Sequence, residues 1–137
     1  MKKIIALFAF AATMSLGFAQ SLPNEADNFI HTFFPNMNII EVAQSNNADM
    51  AYRAELDDNL VIIFNSEGQW QIVESFSTDI SALLSQKCKD AILSNNNNPI
   101  TAVKIERNRP NYETRVTFND GFVMIFDANG NFVRNDY

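Results

Sequence analysis

The amino-acid sequence carries the same order of features twice, once in each half of the chain. Each half has an apolar stripe at helical spacing, then segments in which apolar and polar residues alternate, and finally a Phe-x-x-x-Gly-x-aromatic motif. The motif occupies residues 64–70 and again 126–132. Matching motifs that follow the same order of features in both halves indicate an internal duplication. We therefore predict one continuous domain made of two repeats, at about 20–76 and 77–137.

Two segments have the apolar stripe of an amphipathic helix. In the first, the apolar positions are Leu22, Ala26, Phe29, Ile30, Phe33 and Phe34. In the second, they are Ile80, Leu83, Leu84, Cys88, Ala91 and Ile92. Ser21 is a candidate N-cap of the first helix, Pro23 suits its first turn and Pro35 ends it. Thr78 or Asp79 is the corresponding cap of the second helix, which we expect to begin near residue 80.

The remaining apolar segments have the alternation of β-strands. The predicted strands are 39–43, 50–56, 60–64, 70–76, 100–107, 112–118, 122–126 and 132–135. Successive strands are expected to be antiparallel, because the connections between them are too short for crossovers. The sequence therefore predicts an α+β fold, in which two helices pack on one face of an antiparallel sheet of about eight strands.

Two tyrosines that open comparable strands depart from the regular spacing. The separation between Tyr52 and Tyr112 is shorter by two positions than the separation between the two copies of the motif. We therefore expect two extra residues in the second half, between its tyrosine and its motif, in longer strands around the turn at 119–121.

Alternation assigns the strand residues to two faces of the sheet. The face that the helices cover is predicted to carry Tyr52, Ala54, Leu56, Leu60, Ile62, Phe64, Trp70 and Ile72, and in the second half Tyr112, Thr114, Val116, Phe122, Met124, Phe126 and Phe132. The opposite face is predicted to carry Arg53, Glu55, Val61, Ile63 and Val73, then Glu113, Arg115, Thr117, Val123 and Ile125. Because two helices cannot cover both faces, the opposite face is expected to meet solvent or a partner.

This opposite face mixes aliphatic with charged residues, which is typical of interaction surfaces. The residues predicted to bind a partner are Arg53, Glu55, Val61, Ile63, Glu113, Arg115, Val123 and Ile125. The aliphatic members are expected to supply buried area and the charged members to set register, with the order of charges reversed between the halves. Aspartate at both Ile63 and Ile125 is then expected to abolish binding without unfolding. Alternatively, β-branched residues simply favour strands and the charges pair with each other.

The first 19 residues have the features of a secretory signal peptide. Lys2 and Lys3 form a basic end, residues 4–16 are apolar, and residues 17–19 form a small-x-small cleavage site. The apolar run is shorter than the roughly 20 residues that span a bilayer, so we expect cleavage after residue 19 and no stable membrane insertion. The mature chain, residues 20–137, is predicted to be exported to the periplasm, with secretion from the cell as the alternative.

Charge and cysteine content narrow the function further. The chain has 16 acidic and 10 basic residues, for a net charge of −6. Nucleic acid and anionic membrane surfaces require clustered Lys and Arg, so neither is a predicted partner. The expected partner is instead an envelope or secreted protein. The chain has one cysteine, Cys88, which excludes an internal disulfide.

Few residues could support catalysis or metal binding. The one histidine, His31, is predicted to lie on the surface and Cys88 in the core, and neither belongs to a paired catalytic or zinc motif. The loop at 127–131 offers oxygen ligands of the kind calcium prefers, but it lacks the later bidentate glutamate. Its counterpart at 65–69 has one acid, and a shared hairpin turn explains both loops. We expect no enzyme activity, no cofactor and no metal site, with a small-molecule or calcium-binding carrier or sensor as the alternative function.

The chain resembles the putative beta-lactamase-inhibitor-like, PepSY-like family of small exported bacterial proteins. The resemblance rests on Leu22-Pro23, Phe34-Pro35, Ile39-x-x-Val42, Tyr52-x-x-x-Leu56 and the doubled Phe-x-x-x-Gly-x-aromatic motif. It implies a tandem α+β repeat with an open sheet face available to a protein partner, and it implies no catalytic residue. The second half departs from the pattern, because its helix lacks the opening Leu-Pro and the closing Phe-Pro.

Overall fold

The computed structural model describes residues 21–95 and 101–136. The predicted signal peptide at 1–19 lies outside the described residues and stays a prediction. Within the described part of the chain, no helix is long and apolar enough to cross a membrane. The chain divides into two compact units, residues 1–71 and residues 72–137.

The fold is α+β, as predicted. The described residues form the helices α1 (Asn24–Phe33) and α2 (Gln86–Asn95). They also form the strands β1 (Ile39–Gln44), β2 (Tyr52–Leu56), β3 (Val61–Phe64), β4 (Trp70–Glu74), β5 (Ala102–Arg109), β6 (Glu113–Phe118), β7 (Val123–Phe126) and β8 (Phe132–Asp136). The strands belong to one antiparallel sheet in the order β1 to β8. Every predicted strand is present, and its ends differ from the prediction by no more than two residues.

Helix α1 begins later than predicted, because Pro23 and not Ser21 is its N-cap. The Pro23 carbonyl accepts a helical hydrogen bond from the N–H of Asp27 at 3.1 Å. The φ of Pro23 is −57°, the value at which the proline ring holds the backbone and one that suits a helix start. At the other end the N–H of Phe34 donates to the Ile30 carbonyl, and the chain leaves the helix before Pro35, as predicted.

The second helix also begins later than predicted. A short 3-10 turn, Ser81–Leu83, occupies the start of the expected helix. Its N-cap is Ile80, and Asp79 Oδ1 accepts from the N–H of Ser81 at 3.0 Å. Leu84 is extended, with φ −88° and ψ 149°, so the helical path stops there. Helix α2 begins after Ser85, whose Oγ accepts from the N–H of Cys88 at 3.3 Å. The extended Leu84 and the Ser85 cap therefore divide one apolar stripe into a turn and a helix.

In the first unit, α1 packs on the strands through aromatic rings. The centroid of the Phe29 ring lies 5.9 Å from that of Phe64, edge to face, and 5.9 Å from that of Trp70, stacked. Ala26 and Ile30, on the same side of α1, are buried. The helical spacing that the sequence predicted is therefore the spacing that buries this helix.

In the second unit, the core consists mainly of strand residues. Those that are fully buried are Val73, Ile105, Val116, Phe118, Met124 and Phe126. Helix α2 contributes Cys88, whose Sγ lies 3.8 Å from the Gly130 carbonyl oxygen. The prediction that Cys88 is a core residue is confirmed, since its side chain is buried.

Both Phe-x-x-x-Gly-x-aromatic motifs fold into the same closed loop. Asn65 Oδ1 accepts hydrogen bonds from the N–H groups two and four residues later, at 3.0 and 2.9 Å. Asp127 Oδ1 accepts from the corresponding two N–H groups of its own loop, at 2.9 and 2.8 Å. The residue that follows the first phenylalanine of the motif is therefore the acceptor that closes each loop. The motif as written from the sequence left this position open.

The glycine of each motif lies close to the start of the helix in its own unit. Gly68 and Gly130 have φ of +88° and +85°, a conformation that favours glycine. A Cβ on Gly68 would lie 3.0 Å from the Ala26 backbone nitrogen and 3.0 Å from the Pro23 Cβ. A Cβ on Gly130 would lie 3.1 Å from Ser85 Oγ. In each unit the loop therefore packs against the first turn of the helix.

The correspondence between the two motifs extends without a shift into the central strands. Arg53 pairs with Ile63 across β2 and β3, and Arg115 pairs with Ile125 across β6 and β7. In both hairpins the residues that flank the turn are joined by a backbone hydrogen bond of 2.8 Å. The expectation of two extra residues around 119–121 is therefore wrong, because the matching register leaves no room for them there.

The two tyrosines do not occupy matching positions. Tyr52 lies in β2, opposite Phe64. Tyr112 lies in the turn before β6, with φ +60°, and 74% of it is exposed. Its predicted place on the helix-covered face is wrong. The shared residue type was misleading, since register and not identity determines which strand positions match.

We predict that alanine at Gly68 destabilises the protein more than alanine at Gly121. Gly121 also has a positive φ, +91°, but nothing lies within 4 Å of a Cβ there. Gly121→Ala is therefore expected to cost about 1–2 kcal/mol for the left-handed backbone. Gly68→Ala adds about 1–3 kcal/mol, because the new methyl group meets the start of α1. Urea unfolding of both variants measures the difference, and equal losses would show that the loop does not pack against the helix as described.

We also predict that Asp127 makes the stability of the protein depend on acid. The backbone N–H of Asn131, and next its side chain, lower the pKa of Asp127 from its usual 3.8 by hydrogen bonding to the carboxylate. This contribution to stability is complete above pH 3.8 and is lost as the pH falls through the lower, folded-state pKa. Asp127→Asn is expected to retain the loop, as Asn65 does, and to lose less stability than the wild type on acidification below that pH. Urea midpoints measured across this range test the prediction, and parallel curves for the two proteins would contradict it.

Candidate functional site

The residues predicted to bind a partner fall into two groups, one in each unit. The first patch consists of Arg53, Glu55, Val61 and Ile63, on β2 and β3. The second patch consists of Glu113, Arg115, Val123 and Ile125, on β6 and β7. Each patch is built by two paired strands whose facing residues alternate between sheet faces.

In the second patch, the two aliphatic residues lie between charged or polar neighbours. Ile125 on β7 pairs with Arg115 on β6 and with Arg134 on β8. Val123 on β7 pairs with Thr117 on β6 and with Asp136 on β8. Since paired residues share a face, long side chains stand on both sides of each aliphatic residue.

Two ion pairs join these long side chains across β7. Arg115 donates from a terminal guanidinium nitrogen to Asp136 Oδ2 at 2.6 Å. Arg134 donates from both terminal nitrogens to the two carboxylate oxygens of Glu113, each at 3.2 Å. In each pair one partner belongs to β6 and the other to β8, so the pair must pass over the strand between them. The ion pairs therefore lie over the outward side chains of β7.

The aliphatic residues beneath these ion pairs are hidden from solvent. Val123 is 4% exposed and Ile125 is 2% exposed. The expectation that they supply apolar contact area to a partner is therefore wrong, because the chain's own charged side chains already cover them. The charged atoms form the accessible surface of the second patch, and 53% of the Arg134 side chain is exposed.

The ionic contacts continue onto β5. Arg115 Nε lies 3.8 Å from Glu106 Oε2, and Lys104 Nζ lies 3.8 Å from the same oxygen. Glu106 itself is buried, whereas Lys104 is half-buried.

Hydrogen bonding to Glu113 raises the pKa of the Arg134 guanidinium above its usual value, so this group stays charged. Basic and acidic groups thus alternate across the second patch and its border.

The first patch is arranged differently. Arg53 lies between Ala43 on β1 and Ile63 on β3, and it is 5% exposed. Its terminal nitrogen lies 3.6 Å from Glu55 Oε1, while its Nε has no hydrogen-bond partner among the described residues. Ile63 is buried and Val61 is half-buried. The expectation that Ile63 is accessible is therefore wrong as well.

The register also corrects two assignments made from the sequence. Ile72 pairs with Glu106, which pairs with Arg115, so Ile72 lies on the charged face of the second unit. Val73 pairs with Ile105 and lies on the buried face. The predicted faces of these two residues were therefore exchanged. A shift of one residue exchanges the faces of a strand. Such a shift occurs at the pairing of β8 with β7, and β8 begins at the end of the second motif just as β4 begins at the end of the first.

The order of charges along the strands is reversed between the patches, although the two arginines occupy corresponding positions. Arg53 and Arg115 each lie opposite an isoleucine of the next strand. Glu55 follows the first arginine and Glu113 precedes the second, so the acids lie on opposite sides of the matching arginines. The residues that the sequence reasoning missed, Arg134 and Asp136, carried a usable signal, since each lies opposite a predicted patch residue in a β7–β8 hairpin.

The other candidate chemistry remains limited. No group of three or more His, Cys, Asp or Glu side chains that could hold a metal ion occurs among the described residues. In the loop at 127–131, both carboxylate oxygens of Asp127 accept hydrogen bonds, Oδ2 from the Asn131 side chain at 3.1 Å. His31 is exposed, as predicted, and its Nδ1 lies 2.8 Å from the Asp27 carbonyl oxygen. The hydrogen bonds to Asp127 therefore explain the conformation of the loop at 127–131 without an ion.

Several solved structures share this fold. A protein described as a putative periplasmic protein of unknown function, from Bacteroides vulgatus ATCC 8482, has a TM-score of 0.77 at 24% identity, with 89% of this chain and 97% of that chain covered. A protein described as a putative calcium-regulated periplasmic protein, from Bacteroides thetaiotaomicron, has a TM-score of 0.76 at 18% identity, with 85% and 91% covered. At these identities the likeness concerns the fold. No curated protein matches the chain.

A family model identifies the sequence more specifically. The model for putative beta-lactamase-inhibitor-like, PepSY-like proteins matches residues 50–134, which is more than half of the chain. The match includes both motifs and both patches, and it confirms the resemblance inferred from the sequence. The chain belongs to the putative beta-lactamase-inhibitor-like, PepSY-like family.

Proposed function

We propose that this chain is a non-enzymatic, exported protein-binding module that docks an envelope or secreted protein through the second patch and acts on it as an inhibitor. The observation that carries the proposal is the pair of ion pairs across β7, Arg115 with Asp136 and Arg134 with Glu113. Covering Val123 and Ile125 requires the stems of these side chains but not their alternating charges, and exposed ion pairs contribute only about 0–1 kcal/mol to stability. A fixed pattern of alternating charges does confer selectivity for a complementary surface.

The array is also well prepared for binding. The Arg134 guanidinium is held at both terminal nitrogens by Glu113, and Arg115 is held by Asp136 and Glu106. Side chains already fixed in the free protein lose less conformational entropy on association. Arginine is also enriched at protein interfaces, where its planar group bonds to carboxylates and backbone carbonyls.

Two further considerations support an exported, non-enzymatic role. The N-terminal residues have the pattern of a signal peptide, and the structures that share the fold are described as periplasmic proteins. The family takes its name from an inhibitor and not from an enzyme. The one histidine is exposed and the one cysteine is buried, which supports a non-enzymatic role because a Cys–His pair needs an accessible thiol beside its base.

We predict that a photo-crosslinking residue beside the second patch, on the same charged face, captures one protein in the cells that make this chain. Lys104 is the position of choice, because its pairing with Thr117 places it on the charged face. Asn135 is the matched control, since it is exposed in the same unit but pairs with Met124 and so belongs to the opposite face. The proposal is supported if one recurring protein is crosslinked by the variant at residue 104 and is not crosslinked by the variant at residue 135. Equal crosslinking from both positions would contradict it.

A charge exchange tests whether the pattern itself is recognised. The double variant Glu113→Arg with Arg134→Glu is expected to keep an ion pair across β7, so its stability changes by less than about 1 kcal/mol. Its binding to the captured protein is expected to fall at least about tenfold, because like charges now face each other in the complex. Unchanged affinity would show that this array does not bind. Aspartate at Ile63 and Ile125 is not a suitable test, since both side chains are buried and the variant is expected to unfold.

A further inference from the structure

Two three-residue turns of this chain have the same unusual backbone. The turn Asp57–Asn59 joins β2 to β3, and the turn Pro110–Tyr112 joins β5 to β6. In each turn the second and third residues have positive φ, at 60° and 61° in the first and at 67° and 60° in the second. Both turns therefore need two consecutive residues in the left-handed region.

The sequences of the two turns differ at the last position. The first turn places Asp58 and Asn59 in the left-handed conformation, and these residue types tolerate it because their short side chains bond locally. The second turn places Asn111 and then Tyr112 there. A bulky residue with positive φ is strained, so asparagine would fit this position better than tyrosine.

Burial does not compensate for this strain. Tyr112 is 74% exposed, the highest exposure among the large hydrophobic side chains of the described residues. The fold therefore holds an aromatic ring in solvent, on a backbone that disfavours it. Backbone strain that the free protein does not need is typical of functional positions.

The position of the turn connects Tyr112 to the second patch. Glu113 follows directly and forms the bidentate ion pair with Arg134. The turn itself contains no charged residue, so the aromatic ring of Tyr112 is its most prominent feature for a partner. Tyrosine and arginine are the residue types most enriched at binding hot spots, together with tryptophan.

We infer that Tyr112 is a contact residue of the proposed complex, held outward by the strained turn so that its ring enters an apolar recess in a partner protein. This inference rests on the proposed function and adds to it the tip of the β5–β6 hairpin and the chemistry of the partner. The exposed, left-handed tyrosine is the feature that the recess must match.

The test is a pair of reciprocal substitutions in the two turns. Tyr112→Asn is expected to raise Tm by about 2–6 °C by relieving strain, and to weaken binding to the protein captured from residue 104 at least about tenfold. Asn59→Tyr, in the turn with the same backbone, is expected to lower Tm by a similar amount and to leave binding unchanged. A gain in stability together with a loss of binding is a result that a purely structural residue would not give.

The same crosslinking residue placed at 112 and at 59 separates the possible failures. The inference predicts capture from residue 112 onto a segment of the partner that lines an apolar recess, and no capture from residue 59. Capture from residue 104 without capture from residue 112, or full binding by Tyr112→Asn, overturns the inference and leaves the proposed function intact. A crosslinked segment that lines no apolar recess overturns the assigned partner chemistry. No capture from residue 104 overturns the proposed function and this inference together.

Discussion

The structure depends on one geometric constraint, which is that a short helix covers only one face of the strands on which it packs. Helix α1 is held by the ring of Phe29 against Phe64 and Trp70, all on one side of the first unit. The opposite side of each central strand still carries β-branched residues, which strands favour. The chain must therefore cover those residues with its own side chains or leave them in solvent. In the second unit, the ion pairs across β7 provide that cover.

This solution has a consequence for function. Arg134 and Arg115 contribute little by charge alone at an exposed surface, but their stems lie beside Ile125 and exclude water from it. The result is a surface that is charged outside and aliphatic underneath. A partner would meet fixed guanidinium and carboxylate groups, not an oily patch. The first patch lacks such a bridge among the described residues, and Arg53 there is buried with an unpaired Nε.

Much of the fold could be predicted from the sequence, because apolar residues recur at different spacings in helices and in strands. The matching loops could also be predicted, although the pattern did not reveal that Asn65 and Asp127 close them. The predictions failed where local hydrogen bonding or strand register departs from the spacing of the apolar residues. The cap at Ser85 divided one apolar stripe, and the register in β4 exchanged the faces of Ile72 and Val73. Alternation placed the residues of each patch on a shared face, as the strand register shows. The burial of Ile125 depends on side chains that reach over a neighbouring strand, and the hydrophobic periodicity of a single strand carries no information about them.

Docking through the charged face is tested most directly by amide hydrogen exchange of the second unit, with and without the captured partner. We expect slower exchange in the complex at the turn 108–112 and along β8, whose outer edge has no neighbouring strand among the residues that the structure describes. Exchange in α2 should stay the same, because the helix lies outside the proposed interface. Protection of α2 with an unchanged turn and β8 would contradict the claim that the charged face and its hairpin tip bind the partner.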